Sequence, residues 1–214
     1  MRRHPRLHQY RPSDLKAALF QAGLDALQSK SWRIEKVPGW APSQRRVQRG
    51  FVPSVATIRT SQNRWLGDSE GLWLTLHGSD VVVVSCVDDR KHPEYSLVYV
   101  FGAKDIRARL DRAYEARKKA GATIRPGTPV WISLFDEESN ENVEYVGAGA
   151  GNEEDPIAEI TLTNYLKQQA QSPTQPTQSR EQMILAAAKQ GLALSLGVSE
   201  DDILITIRTP RSDF

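Results

Sequence analysis

The apolar positions of this chain concentrate in two neighbouring segments, Asp80-Val-Val-Val-Val-Ser-Cys-Val-Asp88 and Ser96-Leu-Val-Tyr-Val-Phe101, separated by a polar loop. Their β-branched and aromatic content predicts buried strands, and their spacing predicts a hairpin. Upstream, Leu15, Leu19, Ala22 and Ala26 recur on one helical face, with Ser13 as the cap of a helix reaching Ser29. Gly23 interrupts that helix, at a cost of ~1 kcal/mol or as a mark of close packing. Trp32 to Val37 alternates as a half-buried strand does, and Val55 to Thr60 and Leu72 to Leu76 read as further short strands. Downstream, Ile106, Leu110, Ala113 and Tyr114 form the stripe of a helix over 104–120, stopped by Gly121. Asp105–Arg109 and Glu115–Lys119 have the spacing of helix ion pairs. Pro129 to Leu134 and Val143 to Val146 read as a strand and a return strand about an acidic turn.

This order of elements predicts an α/β (α+β) fold: a central mixed sheet with flanking helices. Residues 1–11 read as a flexible basic arm, 12–167 as the main α/β domain and 168–178, rich in Gln, Pro and Thr, as a linker. Residues 179–214 read as a helix–strand tail, opened by the capping-box sequence Ser179-Arg-Glu-Gln182. So short an appendage cannot bury a core of its own. It is expected to dock on the main domain, to self-associate through 179–214, or to add its strand to a protein partner.

Charge changes the picture more than composition does. Residues 1–65 carry 13 Lys or Arg against 3 Asp or Glu, whereas residues 66–214 carry 15 against 23. The overall +2 therefore hides a net +10 followed by a net −8, a polarity that steers a polyanion towards one end or draws the two halves together. The basic excess includes a region predicted as loop, Pro38 to Pro53, and a polar turn, Ser61 to Gly67. There Arg45, Arg46, Arg49, Arg59 and Arg64 stand among Gln44, Gln48, Gln62 and Asn63, with Trp40, Phe51 and Trp65 interleaved. Guanidinium groups fork onto phosphates, carboxamides read base edges and flat aromatics stack on unpaired bases. The competing reading is a solvated basic loop paired with the chain's own acidic half. The leading expectation is a cytoplasmic, bacterial-type, non-enzymatic nucleic-acid-binding protein. Its candidate site is Arg45, Arg46, Arg49, Arg59, Gln62, Asn63, Arg64 and Trp65, and it needs no cofactor.

The order helix, strands, central hairpin, helix, strand also resembles the restriction-endonuclease-like fold. That resemblance implies an Asp on one strand and an (Asp/Glu)-x-Lys signature on the next, gathered around a divalent metal. Asp80 matches the first requirement, but strand 96–101 offers neither acid nor lysine. Asp88 lies eight residues along the same strand, roughly 26 Å away at ~3.3 Å per residue, too far to share an ion with Asp80. A metal-dependent nuclease or phosphodiesterase with an atypical site is the further alternative. The loop Asp88, Asp89, His92 and Glu94 holds donors but no recognised metal spacing. Gly147-Ala-Gly-Ala-Gly-Asn152 lacks the third glycine of a dinucleotide loop, precedes three acids and reads as a flexible connection. The lone Cys86 excludes an intrachain disulfide and reads as a small buried hydrophobe. The basic N-terminus has no apolar segment behind it, which argues against a secretory signal, and no apolar run is long enough to span a bilayer.

Overall fold

The computed structural model describes residues 12–61, 65–69, 73–125 and 127–171. The basic arm 1–11, Gln62, Asn63, Arg64 and the tail 179–214 lie outside the described residues, as does most of the 168–178 segment. The expected α/β architecture is present. A mixed six-stranded sheet is made of β1 (Arg33–Glu35), β2 (Gln44–Arg49), β3 (Val52–Ser61), β5 (Val81–Val87), β6 (Tyr95–Gly102) and β8 (Ala158–Thr161), in that spatial order. Only β3 and β5 run parallel, from Ala56↔Val81 to Ser61↔Cys86; the other pairs are antiparallel. The remaining strands, β4 (Trp65–Ser69) and β7 (Pro129–Ser133), pair with each other as a separate two-stranded sheet.

Alternation along β5 and β6 divides the core into two layers. Val82, Val84 and Cys86 join Tyr99 and Phe101 on one face, under α2 (Ala103–Lys119), the β4–β7 ribbon and a 3₁₀ turn at Leu74–Leu76. Val83, Val87 and Val98 face α1 (Pro12–Ser29) on the other side, where α4 (Thr163–Gln171) packs beside α1. Cys86 is fully buried, as its place in an apolar strand predicts. Gly23 marks close packing of α1 on the sheet: a Cβ there would stand 2.6 Å from Ser85 Oγ and 3.3 Å from Ile58 Cγ2. The helix starts at Pro12, one residue before the expected cap, so Ser13 lies in its first turn. It ends with Ser31 in the left-handed region (φ 63°), Ser31 N donating to Gln28 O and Trp32 N to Leu27 O. Helix α2 closes in the same manner on Gly121 (φ 84°), and Asp105 and Arg109 pair as expected at 3.2 Å. Glu115 pairs with Lys118 at 3.8 Å.

Four local expectations are corrected. Residues 44–49 form strand β2 inside the segment read as loop, because Val47 is buried against α1 and both edges of the strand are paired. Of the expected strand Leu72 to Leu76, the described residues 73–76 form no strand: Trp73 and Leu76 are buried three residues apart while Leu74 is 61% exposed, the spacing of a 3₁₀ turn. Trp73 holds left-handed backbone (φ 44°) to place its indole in the core, where Nε1 donates to Asp111 Oδ1 at 2.5 Å. Val143–Tyr145 is also a 3₁₀ turn, because Asn142 Oδ1 accepts from Glu144 N at 3.1 Å and turns the chain before a strand can form. The glycine-rich stretch is no flexible connection: residues 146–150 are buried and lead into α3 (Ala150–Glu153). Gly147 (φ 81°) lies so close to α2 that a side chain there would collide with the Arg109 carbonyl. Arg109 is 5% exposed, and its guanidinium donates to Ala148 O at 2.7 Å and Glu153 Oε2 at 2.5 Å. Burial opposes its charge, but Glu153 and Asp105 outweigh that cost and raise its pKa.

Gly147→Ala combines a disfavoured backbone angle with a clash against main chain. It is expected to cost about 2–4 kcal/mol, read as a lower urea midpoint with unchanged slope. A second expectation concerns the α1–α4 contact, where Tyr165 Oη donates to Asp25 Oδ2 at 2.5 Å. Burial, with Asp25 beside it, pushes the Tyr165 phenol up to about 12 from 10.0. Because the folded value is the higher, the stabilisation is complete below pH ~10 and is lost as pH rises through ~12. Absorbance titration should show one tyrosine ionising late, absent in Tyr165→Phe.

Candidate functional site

Strand β2 places its arginines by simple alternation. Arg45 and Arg49 share the α1 face with buried Val47, and each guanidinium lies over an aromatic ring: Arg45 is 5.2 Å from the centre of Phe20 and Arg49 is 5.9 Å from that of Trp32. Arg46 projects from the opposite face, 5.8 Å from the Trp40 ring centre and 3.1 Å from Glu35 Oε2. That ion pair is exposed and contributes little. Each ring thus offers an apolar, π-rich surface to a guanidinium of a strand that has one apolar residue of its own. Gln44 and Gln48 donate to the backbone, at His77 O (3.0 Å) and Gly50 O (2.9 Å). Arg45, Arg46 and Arg49, expected on a loop, thus stand on a β2–β3 ribbon with cations on both faces. At its tip, Phe51 is fully exposed and Val52 is 72% exposed.

Arg59 and Trp65 belong to a second feature. The β2–β3 ladder ends at Gln44↔Thr57; Ile58 N still reaches Ser43 O at 2.9 Å, and residues 59–61 have no β2 partner. Helix α1 covers one side of this open edge and the β4–β7 ribbon the other. Between them lies an open cavity of about 560 Å³, lined among others by Lys16, Phe20, Ser43, Arg59, Trp65 and Trp131. Two of its walls are fixed locally. Trp65 is held by Ser61 Oγ, which accepts from Trp65 N at 2.9 Å and donates to Trp65 O at 2.8 Å. Trp131 packs directly on Gly67, its register partner, where any side chain would displace the indole. Its carbonyl receives Arg117 from α2 at 2.7 Å.

Arg59 donates to the Gly67 carbonyl, which aims its guanidinium at the same space. Burial lowers its pKa and Asp68 raises it in part; a guanidinium keeps its proton all the same. Asp68 lies on the other face of β4, buried and held by Thr75 Oγ1. No carboxylate lines the cavity among the described residues. Arg45 stands at the rim over Phe20, donating to Pro42 O at 2.8 Å. Thus Arg59 and Trp65 share the cavity, while Arg45, Arg46 and Arg49 all stand on the ribbon, Arg45 over the lining residue Phe20. Sequence reasoning missed Lys16, Phe20 and Trp131, which are distant in the chain and whose patterns read as helix face and strand.

The acidic residues considered as metal ligands serve the backbone. Asp80 Oδ2 accepts from Val55 N at 2.8 Å. Asp88 Oδ1 accepts from Glu94 N and Tyr95 N, both at 3.1 Å, closing the β5–β6 loop. Asp89 Oδ1 accepts from Lys91 N at 2.6 Å and His92 N at 3.2 Å, and these bonds lower its pKa. Among the described residues no group of three or more His, Cys, Asp or Glu is placed to hold a metal ion. Nor is any described helix long and apolar enough to cross a membrane. Among the described residues the ribbon's ion pair is Arg46 with Glu35, while the acids of the later half pair elsewhere: Glu138 with Arg112 at 3.2 Å and Glu153 with Arg109 at 2.5 Å.

With Asp80 as a backbone acceptor, Asp80→Ala leaves the Val55 N–H without its partner and should cost about 1 kcal/mol in chemical denaturation. A Mn²⁺-induced rise in melting temperature that disappears in this variant would place an ion at Asp80 instead.

Compared with protein-family models, curated proteins and solved structures, the chain has no match, so its functional reading rests on the geometry above.

Proposed function

We propose that this protein binds nucleic acid through the β2–β3 ribbon, without catalysing a reaction on it. The observation that carries the reading is the exposed tip: Phe51, wholly in solvent beside Val52, ends a ribbon that bears Arg45, Arg46 and Arg49. An exposed large apolar side chain at the end of a basic element is the informative exception to burial. A two-stranded ribbon fits the major groove of a duplex, and an apolar wedge unstacks bases where it enters. On a single strand, the same ring supplies a stacking platform while guanidinium groups neutralise phosphates on either side. The tip is too small for the other surface such a hairpin serves, an anionic bilayer: Phe51 and Val52 are its two apolar residues, and the arginines run along the strand behind them.

The test is a mobility-shift titration with single-stranded and duplex DNA over a range of salt. Affinity should fall steeply with salt, and the Arg46→Ala, Arg49→Ala double variant should reduce the log–log slope by about 2. Phe51→Ala should weaken binding by about 1–3 kcal/mol with the slope unchanged. Affinity that is the same in all these variants, or Phe51-dependent flotation with anionic vesicles and no shift with DNA, overturns the reading.

A further inference from the structure

We infer that the cavity beside β3 takes one nucleotide unit, its base against the indoles of Trp65 and Trp131 and its phosphate on Lys16 and Arg59. This deepens the nucleic-acid reading and rests on it for the choice of a nucleotide over other planar anions. The chemistry of the lining carries it. Three rings, Phe20, Trp65 and Trp131, and two cations meet around about 560 Å³, without a carboxylate among the described lining residues. That volume lies within the range of small-molecule sites, which combine apolar walls with a few aimed polar groups. An aromatic wall selects a flat ligand, and a guanidinium and an ammonium in the lining favour an anionic one, the carboxylate whose charge acts on Arg59 being Asp68 on the other face of β4.

The walls are also preorganised. Trp65 and Trp131 stand on the same face of the β4–β7 ribbon, diagonally across the pairs Trp65↔Ser133 and Gly67↔Trp131. Gly67 leaves the ring of Trp131 lying flat on the ribbon, and 45% of this residue remains exposed. Arg59 is braced by the Gly67 carbonyl of the same ribbon, so a ligand meets a guanidinium already oriented. The cavity adjoins the proposed contact surface. Ser43 lines it, and the next residue begins β2, whose Arg45 lies over Phe20 at the rim. A strand lying along the ribbon therefore passes the mouth, where an unpaired nucleotide can leave the stack and enter at low cost.

The experiment follows tryptophan fluorescence of the full chain during titration with adenosine 5′-monophosphate, a short single-stranded oligonucleotide and a blunt duplex of the same length. Saturable quenching by the mononucleotide identifies free nucleotides as the source. Quenching by the single strand alone identifies a unit within a strand, provided Trp131→Phe reduces it, so that it does not come only from Trp32 and Trp40 beside the β2–β3 ribbon. Either supports the cavity. Lys16→Glu, at an exposed helix position that leaves the core untouched, should weaken quenching about tenfold. Trp131→Phe should remove part of the signal and keep binding. Phe51→Ala and Arg49→Ala should leave mononucleotide quenching unchanged, so that failure of the ribbon and failure of the cavity are read separately. If no nucleotide or oligonucleotide quenches, or if Lys16→Glu titrates as the wild type does, the inference is overturned.

Discussion

Strand β5 is buried on both faces, and the molecule is arranged to satisfy that burial. Val82, Val84 and Cys86 require cover from one side, and Val83 and Val87 from the other. Neither layer is dispensable, because each fully buried Val contributes about 1.5–3 kcal/mol only while its cover is in place. The parallel pairing with β3 follows: a strand whose neighbour runs the same way needs a long connection, and residues 62–80 supply it, including the β4 strand and the Trp73 turn. The strained backbone of Trp73 is tolerated because its indole fills the core, meets Tyr114 edge-on and donates to Asp111.

Elements with a period of their own were legible from sequence. The α1 stripe, the β5–β6 hairpin and α2 with its Gly121 stop appear within a residue or two of where the pattern puts them. Elements whose period is supplied by a neighbour were not. Gln-Arg-Arg-Val-Gln-Arg has one apolar residue, and it is a strand paired on both edges, with Phe20, Trp32 and Trp40 against its arginines. The short β8 strand and α4 are likewise made by docking, on β6 and α1. The glycine-rich segment misled for a related reason: composition reports conformational freedom, whereas here it reports close approach to α2.

The candidate site was half visible for the same reasons. Residue type pointed to the arginines and to Trp65, and their chemistry is local. Their grouping is not: Lys16 and Phe20 come from the first helix and Trp131 from a strand more than a hundred residues later. Such a set is assembled by topology alone, where β2 stops pairing and leaves the second half of β3 with an open edge.

One strand, β3, serves both features. Its ten residues run without interruption from the exposed tip to the cavity wall, the first half paired with β2 and the second with β5. From Phe51 to Arg59 is eight residues, roughly 26 Å at ~3.3 Å per residue. One continuous strand thus holds the tip and the cavity wall a fixed distance apart. Any ligand that touched both would have to span that distance, which is set by the pitch of a single β-strand and not by a loop.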